Sequence, residues 1–579
     1  MKKATGLLLF LMAMTAMTFA QTKSEYTTLL DRFFDGYFAF NPTQGTAVGF
    51  HQYDARLEDY SQKGIAEQVK FFHEYRDKFA RLDASKMSEE DRDDLELVRS
   101  SIESSLLELE TIRMWQRSPD RYSSGITNSI FVIMSRNFAP QPERLKAVIA
   151  RERQMPAVFA AARANLKDTP KVYTEVAIEQ IPGIVGFFES DVPKAFTDVK
   201  DAAVLAEFKE SNDRVIADLK AYGDHLKQTV LPASHGDFRI GAENYRKKLL
   251  YDEMVDVPLE RLLAMGTANL ERNQAEFKRV AAVIDPSKTP QQILEQAERD
   301  HPAGDQLLQS FRNVLEGLRG FIQANHIVTI PTPVLPIVEE TPPFARALSS
   351  ASMDTPGPYE HVAKEAFFNV TLPEPSWPAA KTREWLESFN RGVITSTAIH
   401  EAYPGHYTQF LWLHDVHSRV RKLLGCGTNA EGWAHYTEQM MLDEGYGRDK
   451  SLAEEKDTKF LMLRLGQLQD ALLRNARYIV GLKMHTGQMT FEQGVEFFVR
   501  DGYQTRAVAE RETRRGTSDP TYLMYTLGKL QIMQLRADYK KKMGAKFSLQ
   551  EFHDEFMKKG FPPIKIIRRE MLGNDSPTL

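Results

Sequence analysis

Cysteine is almost missing from this chain: of 579 residues, only Cys426 carries a thiol. That excludes an intramolecular disulfide framework and a cysteine-rich zinc site. Any metal would have to be held by histidine and carboxylate. An excess of charge is missing too, since 74 basic residues stand against 79 acidic ones for a net charge of −5. The two signs are interspersed, so nothing points to nucleic acid as a partner. Apolar runs that could span a bilayer are also lacking. The run from Leu7 to Phe19 is short of the ~20 residues a span needs. It follows Lys2 and Lys3 and precedes Thr18-Phe19-Ala20, the layout of a secretory signal peptide cut near Ala20-Gln21. The expected location is periplasmic or extracellular, with no membrane contact after cleavage. With no cysteine at the cut, no lipid anchor is expected there.

Strand signals are scarce. Ile327 to Glu339 is β-branched but laced with proline, which fits an edge strand or an extended linker. Ala366 to Pro375 is a second candidate strand. Elsewhere the apolar spacing is helical. Ser88 to Trp115 opens on a loose capping box, and further helices are expected at 143–165, 200–228, 258–284 and 304–325. Lys459 to Lys483 reads as a long helix. Thr490 and Gln493 form a capping box, Asp519-Pro520 opens a helix to about Met543, and Ser548 with Glu551 caps another that Gly560 ends. The length suggests two to four domain-sized units. A boundary in Val230 to Gly241 separates an N-terminal helical region (21–235) from a C-terminal catalytic region (236–579), both able to close around one cleft. The expected fold is mainly α, with helices enclosing a cleft and a small β element beside one of them.

The chemistry gathers in "STAIHEAYPGHYTQF", Ser396 to Phe410. Histidines four apart on a helix grip one zinc ion, and a glutamate after the first serves the zinc-activated water as base. Here His400 and Glu401 are followed by Pro404 at the fourth place, and the next histidine is His406. Six residues along a straight helix put the two histidines on different faces. Pro404-Gly405 deforms helices and so could bring His406 back. Further on, "GTNAEGWAHYTEQMMLDEGYG" (Gly427 to Gly447) reads as a helix capped near Thr428 or Asn429. Glu431, His435 and Glu438 form one polar stripe on it, opposite Trp433, Met440 and Met441. Such a stripe is more often a solvated face. Placed after an HE helix, it has the arrangement of a glutamate zincin, whose second helix supplies a Glu ligand.

"HEAYPGHYTQ", "EGWAHYTEQM" and "DPTYLMYTLGKLQI" occur in that order. Together they resemble the bacterial domain of unknown function 885 family, grouped with the HExxH-type metallopeptidases. "FRIGAENYRKKLLYDE" (Phe238 to Glu253) is similar to the family's mid-chain segment, so the resemblance spans roughly residues 30 to 570. It implies a helical zincin-like fold, Zn2+ as cofactor, and His400, His406 and Glu431 as its ligands, with Glu401 as general base. Glu438 would orient a ligand histidine, and Tyr525 would hydrogen-bond the developing oxyanion. Gln409 matches a family glutamine of no evident role. Tyr407 replaces a family histidine, and Pro520-Thr521-Tyr522-Leu523 departs from the family's PGQA. His435 stands where the family is more often apolar; it shares a face with Glu431 and rivals His406 as a ligand. His414 and His417 have metal-binding spacing but fit exposed positions better.

Two candidate substrate contacts are Arg515, grouped with Arg511 and Arg514 and able to hold a carboxylate, and Asn369, on a strand expected to form an edge beside the HE helix. The reading that results is a zinc-dependent peptidase of short peptides. A metal-dependent amidohydrolase on a non-peptide or isopeptide amide would use the same residues. A catalytically silent binding protein on the same scaffold would have no need of Glu401.

Overall fold

Helical spacing becomes helix along most of the chain: a computed structural model is 70% helical and 3% strand. It describes residues 24–342, 346 and 349–579, and the expected signal peptide with its cleavage point lies outside them. Among the described residues no helix is long and apolar enough to cross a membrane. The expected caps form: Ser88 accepts from the Asp91 N–H, Thr490 and Gln493 close a reciprocal box, and Ser548 accepts from Glu551.

Two helix outlines differ from expectation. Residues 143–165 are split between Gln141–Glu152 and Met155–Asn165. Pro156 has no N–H for the carbonyl four residues back, and its ring crowds the preceding turn. Pro520 does not open a helix either. Asp519 is already the C-cap of Arg506–Ser518, and the next helix, Met524–Met543, starts after an intervening turn.

Three short strands form one sheet, β1 (Ile337–Glu340), β2 (Ala351–Asp354) and β3 (Phe367–Val370), in the order β1-β3-β2. Of the proline-laced segment only the end joins the ladder, since Pro331, Pro333 and Pro336 cannot donate to it. Asn369 corrects the expectation of an edge strand. It lies on the central strand, parallel to β1 opposite Glu339 and antiparallel to β2 opposite Ser352, so its backbone is committed on both sides. The edge strand packed against the helix Arg391–Glu401 is β2.

The helix Thr458–His485 runs through the C-terminal half for 28 residues, about 42 Å at ~1.5 Å per residue. It buries Gln467, Arg474, Asn475, Arg477 and His485 along with its apolar residues. Residues 122–230 have a core of their own. Other cores run across residue 235: Phe33, Phe72 and Ile102 pack with Val420, Leu424 and Ile566, and Leu107 and Ile112 pack with Leu249 and Leu472. Two glycine-on-glycine crossings set the helices that matter below. Gly392 meets Gly466 of the long helix, and Gly432 of the helix Gly427–Asp443 meets Gly528, where an added Cβ would stand 2.9 Å and 2.5 Å from the facing Cα.

Candidate metal centre

The Asn390 side chain caps the helix Arg391–Glu401 by accepting from the Val393 N–H at 3.0 Å. The helix ends at Glu401, the Tyr403–Pro404 peptide is cis, and a new helix starts at His406 and runs to Leu413. The break expected at Pro404-Gly405 is therefore present, and it swings His406 back beside His400, with ring centroids 4.8 Å apart. Gly405 belongs there for steric reasons: a Cβ would lie 1.8 Å from the His400 carbonyl oxygen. The Pro404 carbonyl accepts from the Trp433 indole N–H at 2.8 Å, tying the turn to the next helix.

That helix, Gly427–Asp443, is capped from elsewhere in the chain rather than by Thr428 or Asn429. Glu253, the last residue of the helix Ala242–Glu253, accepts from the N–H groups of Gly427 and Thr428 at 3.1 and 2.8 Å and from the Thr428 hydroxyl at 2.6 Å. A carboxylate at the positive end of a helix dipole is favourable. It gives the mid-chain segment a part in placing Glu431. Gln409 also gains a role: its amide donates to Asn429 at 2.7 Å, and Asn429 donates to Pro562 O at 2.7 Å.

Held this way, Glu431 Oε2 lies 3.3 Å from His400 Nε2 and 3.4 Å from His406 Nε2. These three residues are the group of potential metal ligands found among the described residues, with all three atoms within 4.8 Å of one another. Glu431 Oε2 is buried and makes no hydrogen bond, as is His406 Nδ1. A tetrahedral zinc site with bonds of about 2.0–2.1 Å sets neighbouring ligand atoms about 3.3 Å apart. The two carboxylate-to-histidine spacings, the donor types and the orphaned carboxylate oxygen fit such an ion.

Behind the trio stands Glu438. Its Oε1 accepts from His400 Nδ1 at 2.8 Å and lies 3.1 Å from Arg474, and its Oε2 accepts from His435 Nδ1 at 3.0 Å. This fixes which nitrogen His400 presents to the trio, the usual function of a carboxylate behind a ligand histidine. His435 is thus turned to Glu438 and is not part of the trio. Burial, with Lys529 nearby, pushes its pKa down to about 3, so it is neutral. The polar stripe is interior and not a solvated face: His435 and Glu438 are fully buried.

Burial alone would lower the His400 pKa, but the nearby Glu431 carboxylate and the hydrogen bond to Glu438 outweigh that and raise it to about 9. Burial opposes the charge on Glu431, yet His406 and His400 hold its carboxyl well below the usual range. Glu401 is shifted upward, chiefly by burial, with His400 and His406 opposing. Glu438 is likewise penalised by burial and still held well below, by Arg474 and His435.

Tyr525 lies across His400, with ring centroids 6.2 Å apart and planes 19° off parallel. Arg515 donates to its hydroxyl at 3.1 Å and pairs with Asp519 at 3.1 Å. Burial, then Glu431, push its phenol pKa up to about 12, so it remains a proton donor. Of the remaining candidates, Arg514 pairs with Glu179, Tyr407 donates to Val334 O at 2.8 Å, and His414 and His417 are outside the trio. Asn369 is buried in the sheet. Sequence reasoning missed Arg474 and Glu253. Arg474 had a signal: with Asp470 it makes a charged i, i+4 pair inside an otherwise apolar stretch of helix, 3.5 Å apart.

A bacterial family, "bacterial protein of unknown function (DUF885)", matches residues 42–571. Two solved structures share the fold. "A putative lipoprotein of unknown function" from Shewanella oneidensis is 28% identical, covers 95% of this chain and 100% of its own, and superposes with a TM-score of 0.77. "The putative lipoprotein" from Colwellia psychrerythraea is 16% identical, with coverage of 95% and 98% and a TM-score of 0.77; at that identity it speaks to the fold alone. No curated protein matches.

Proposed function

The chain belongs to this bacterial family of unknown function, which lends it no activity, and we propose from its own residues that it is a zinc-dependent peptidase acting on short peptides. One observation carries the reading: His400, His406 and Glu431 converge on one point, with Glu401 adjoining His400 at the end of the same helix. Zn2+ held by these residues supplies Lewis acidity, acidifying a water and polarising a carbonyl.

The chain's own groups then divide the proton work. Glu401, a carboxylate shifted upward by burial, accepts a proton from the attacking water and passes it to the leaving amine. Tyr525 donates its hydroxyl to the oxygen on which charge develops, while Arg515 holds that hydroxyl in place. Glu438 keeps the His400 ring oriented. A group that only bound peptide would have no use for a half-buried glutamate beside the trio.

Export is part of the same proposal. It rests on the signal-like first 20 residues and on the 28% identical structural relative that bears the name putative lipoprotein. This chain has no cysteine at the expected cut, so free release is proposed here, not lipid anchoring.

The test is metal content of the purified protein, with wild type and Glu401→Gln assayed on a peptide library. Stoichiometric zinc in both, with cleavage lost only in the variant, is expected. Failure to bind zinc after reconstitution would sink the reading. His406→Ala should lose the ion and His435→Ala keep it; the reverse would reassign the second histidine.

A further inference from the structure

The helix Arg506–Ser518 carries Arg511, Glu512 and Arg515 at helical spacings of three and four, which puts them on one side. Arg515 reaches Tyr525 from that side. The guanidinium groups of Arg477, Arg515 and Arg474 stand 5.0, 5.9 and 6.0 Å from the Tyr525 ring centroid. Their counter-charges are unequal. Arg474 has Glu438 at 3.1 Å and Asp470 at 3.5 Å. Arg477 has Glu512 at 2.7 Å, and Arg515 has Asp519 at 3.1 Å. Among the described residues Arg511 pairs with that same Glu512 alone, at 3.9 Å.

Three guanidinium groups, those of Arg477, Arg511 and Arg515, therefore share two carboxylates. Arg477 and Arg515 both lie close enough to repel Arg511. Folding alone does not favour such a grouping, because like charges held together cost energy that a bound anion removes. The surplus also sits where a ligand can reach it. The side chains of Arg511 and Arg515 are 36% exposed. The Tyr525 ring in turn overlies His400 at 6.2 Å. Arg515 is thus linked to the trio through the Tyr525 ring, and Arg511 lies one helical turn from Arg515, so the corner is a short stretch of extended peptide from the trio.

We infer that this arginine corner recognises a carboxylate of the substrate next to the bond under attack, with Arg511 as its main contact. The inference rests on the hydrolase reading above. A guanidinium fork matches a carboxylate with two parallel hydrogen bonds. Arg515 contributes charge while its own fork is occupied by Asp519 and Tyr525. Two sources supply the same chemistry, the C-terminal carboxylate of a peptide or an acidic side chain just beyond the bond. A corner that reads the first makes the protein a trimmer of peptide C-termini.

The test uses the zinc-loaded full chain and three peptides: Gly-Phe-Ala-Leu with a free C-terminus, its C-terminal amide, and the amide with aspartate in place of leucine. A terminal carboxylate reader cleaves the free acid at least tenfold faster, in kcat/KM, than either amide. A reader of acidic side chains favours the aspartyl amide over the leucyl amide by the same margin. In either case Arg511→Ala should erase the preference and Arg511→Lys restore part of it. Calorimetric binding of the same peptides to Glu401→Gln reports recognition without turnover. Equal cleavage of all three peptides by wild type, or an unchanged preference in Arg511→Ala, would overturn the carboxylate inference and leave the hydrolase reading intact. Selective binding of a carboxylate peptide with no cleavage by wild type would keep the corner and sink the hydrolase. Neither binding nor cleavage would remove both.

Discussion

If the trio holds zinc as proposed, replacing Gly528 with alanine should weaken that binding while leaving the protein folded. A Cβ at Gly528 would stand 2.0 Å from the Thr428 carbonyl oxygen and 2.7 Å from Gly432 Cα, where ordinary contact begins at 3.4 Å. Both obstacles are backbone, so no side chain can swing aside. The helices Met524–Met543 and Gly427–Asp443 must part by about 1 Å, an overpacking that costs about 1–3 kcal/mol. Glu431 adjoins Gly432 and moves with the crossing, away from His400 and His406. Metal ligand positions tolerate only about 0.2 Å, so zinc affinity should fall at least about tenfold. Gly183→Ala is the control. It is the same substitution in the helix Lys171–Gly186, with nothing within 4 Å of the new methyl, and it should leave zinc unchanged and stability equal or higher by up to about 1 kcal/mol. Chelator competition gives the affinity, and urea denaturation of the metal-free proteins gives the stability. Wild-type zinc affinity in Gly528→Ala would refute the idea that this crossing sets the site.

Three further outcomes follow from the same geometry. Glu438→Gln loses the charge that orients His400 and should weaken zinc binding about 10–100-fold, read by the same competition assay. Zinc affinity should also depend on pH. Because His400 is raised to about 9 in the metal-free site, it carries a proton at neutral pH that the metal must displace, so affinity falls about tenfold per pH unit on acidification from 8 to 6. A flat profile over that range would show that His400 is not titrating against the metal. Trp433→Phe keeps an aromatic ring but strands the buried Pro404 carbonyl, costing about 1–3 kcal/mol in a urea unfolding curve; an unchanged midpoint would mean the carbonyl finds another donor.

What could be read from sequence divides by distance along the chain. The break after Glu401 was legible because proline and glycine act locally, and the capping box at Thr490 and the N-cap at Ser548 were legible for the same reason. Partners distant in sequence were not. Glu253 caps a helix 174 residues away, and nothing near Gly427 announces it. Strand β2, Ala351–Asp354, has little intrinsic preference for a strand and exists because β3 pairs with it. That same hidden strand turned Asn369 from an expected edge residue into a central one. On the helix Gly427–Asp443 the i, i+4 spacing put His435 on the face of Glu431 and left it and His406 rival candidates for the second histidine. They separate only in three dimensions, where Glu431 reaches His406 and His435 reaches Glu438.

The motifs mix two kinds of residue, and metal-free stability should separate them. Gly405, Gln409, Gly432 and Trp433 hold the two ligand-bearing segments in register through close backbone approach and buried hydrogen bonds. Changing one of them disturbs packing first and the trio as a consequence, so stability and zinc should fall together. Glu431 and His406 work the other way. Each buries a polar atom that no hydrogen bond satisfies, and an unsatisfied buried group costs about 1–3 kcal/mol in the absence of a ligand. Replacing Glu431 with an apolar residue of similar size should therefore abolish zinc binding while changing the stability of the metal-free protein little, since the burial cost it removes offsets the lost pairing with His400 and His406. A large loss of metal-free stability on that replacement would mean that Glu431 is there to hold two histidines together, and the metal reading would lose its strongest physical support.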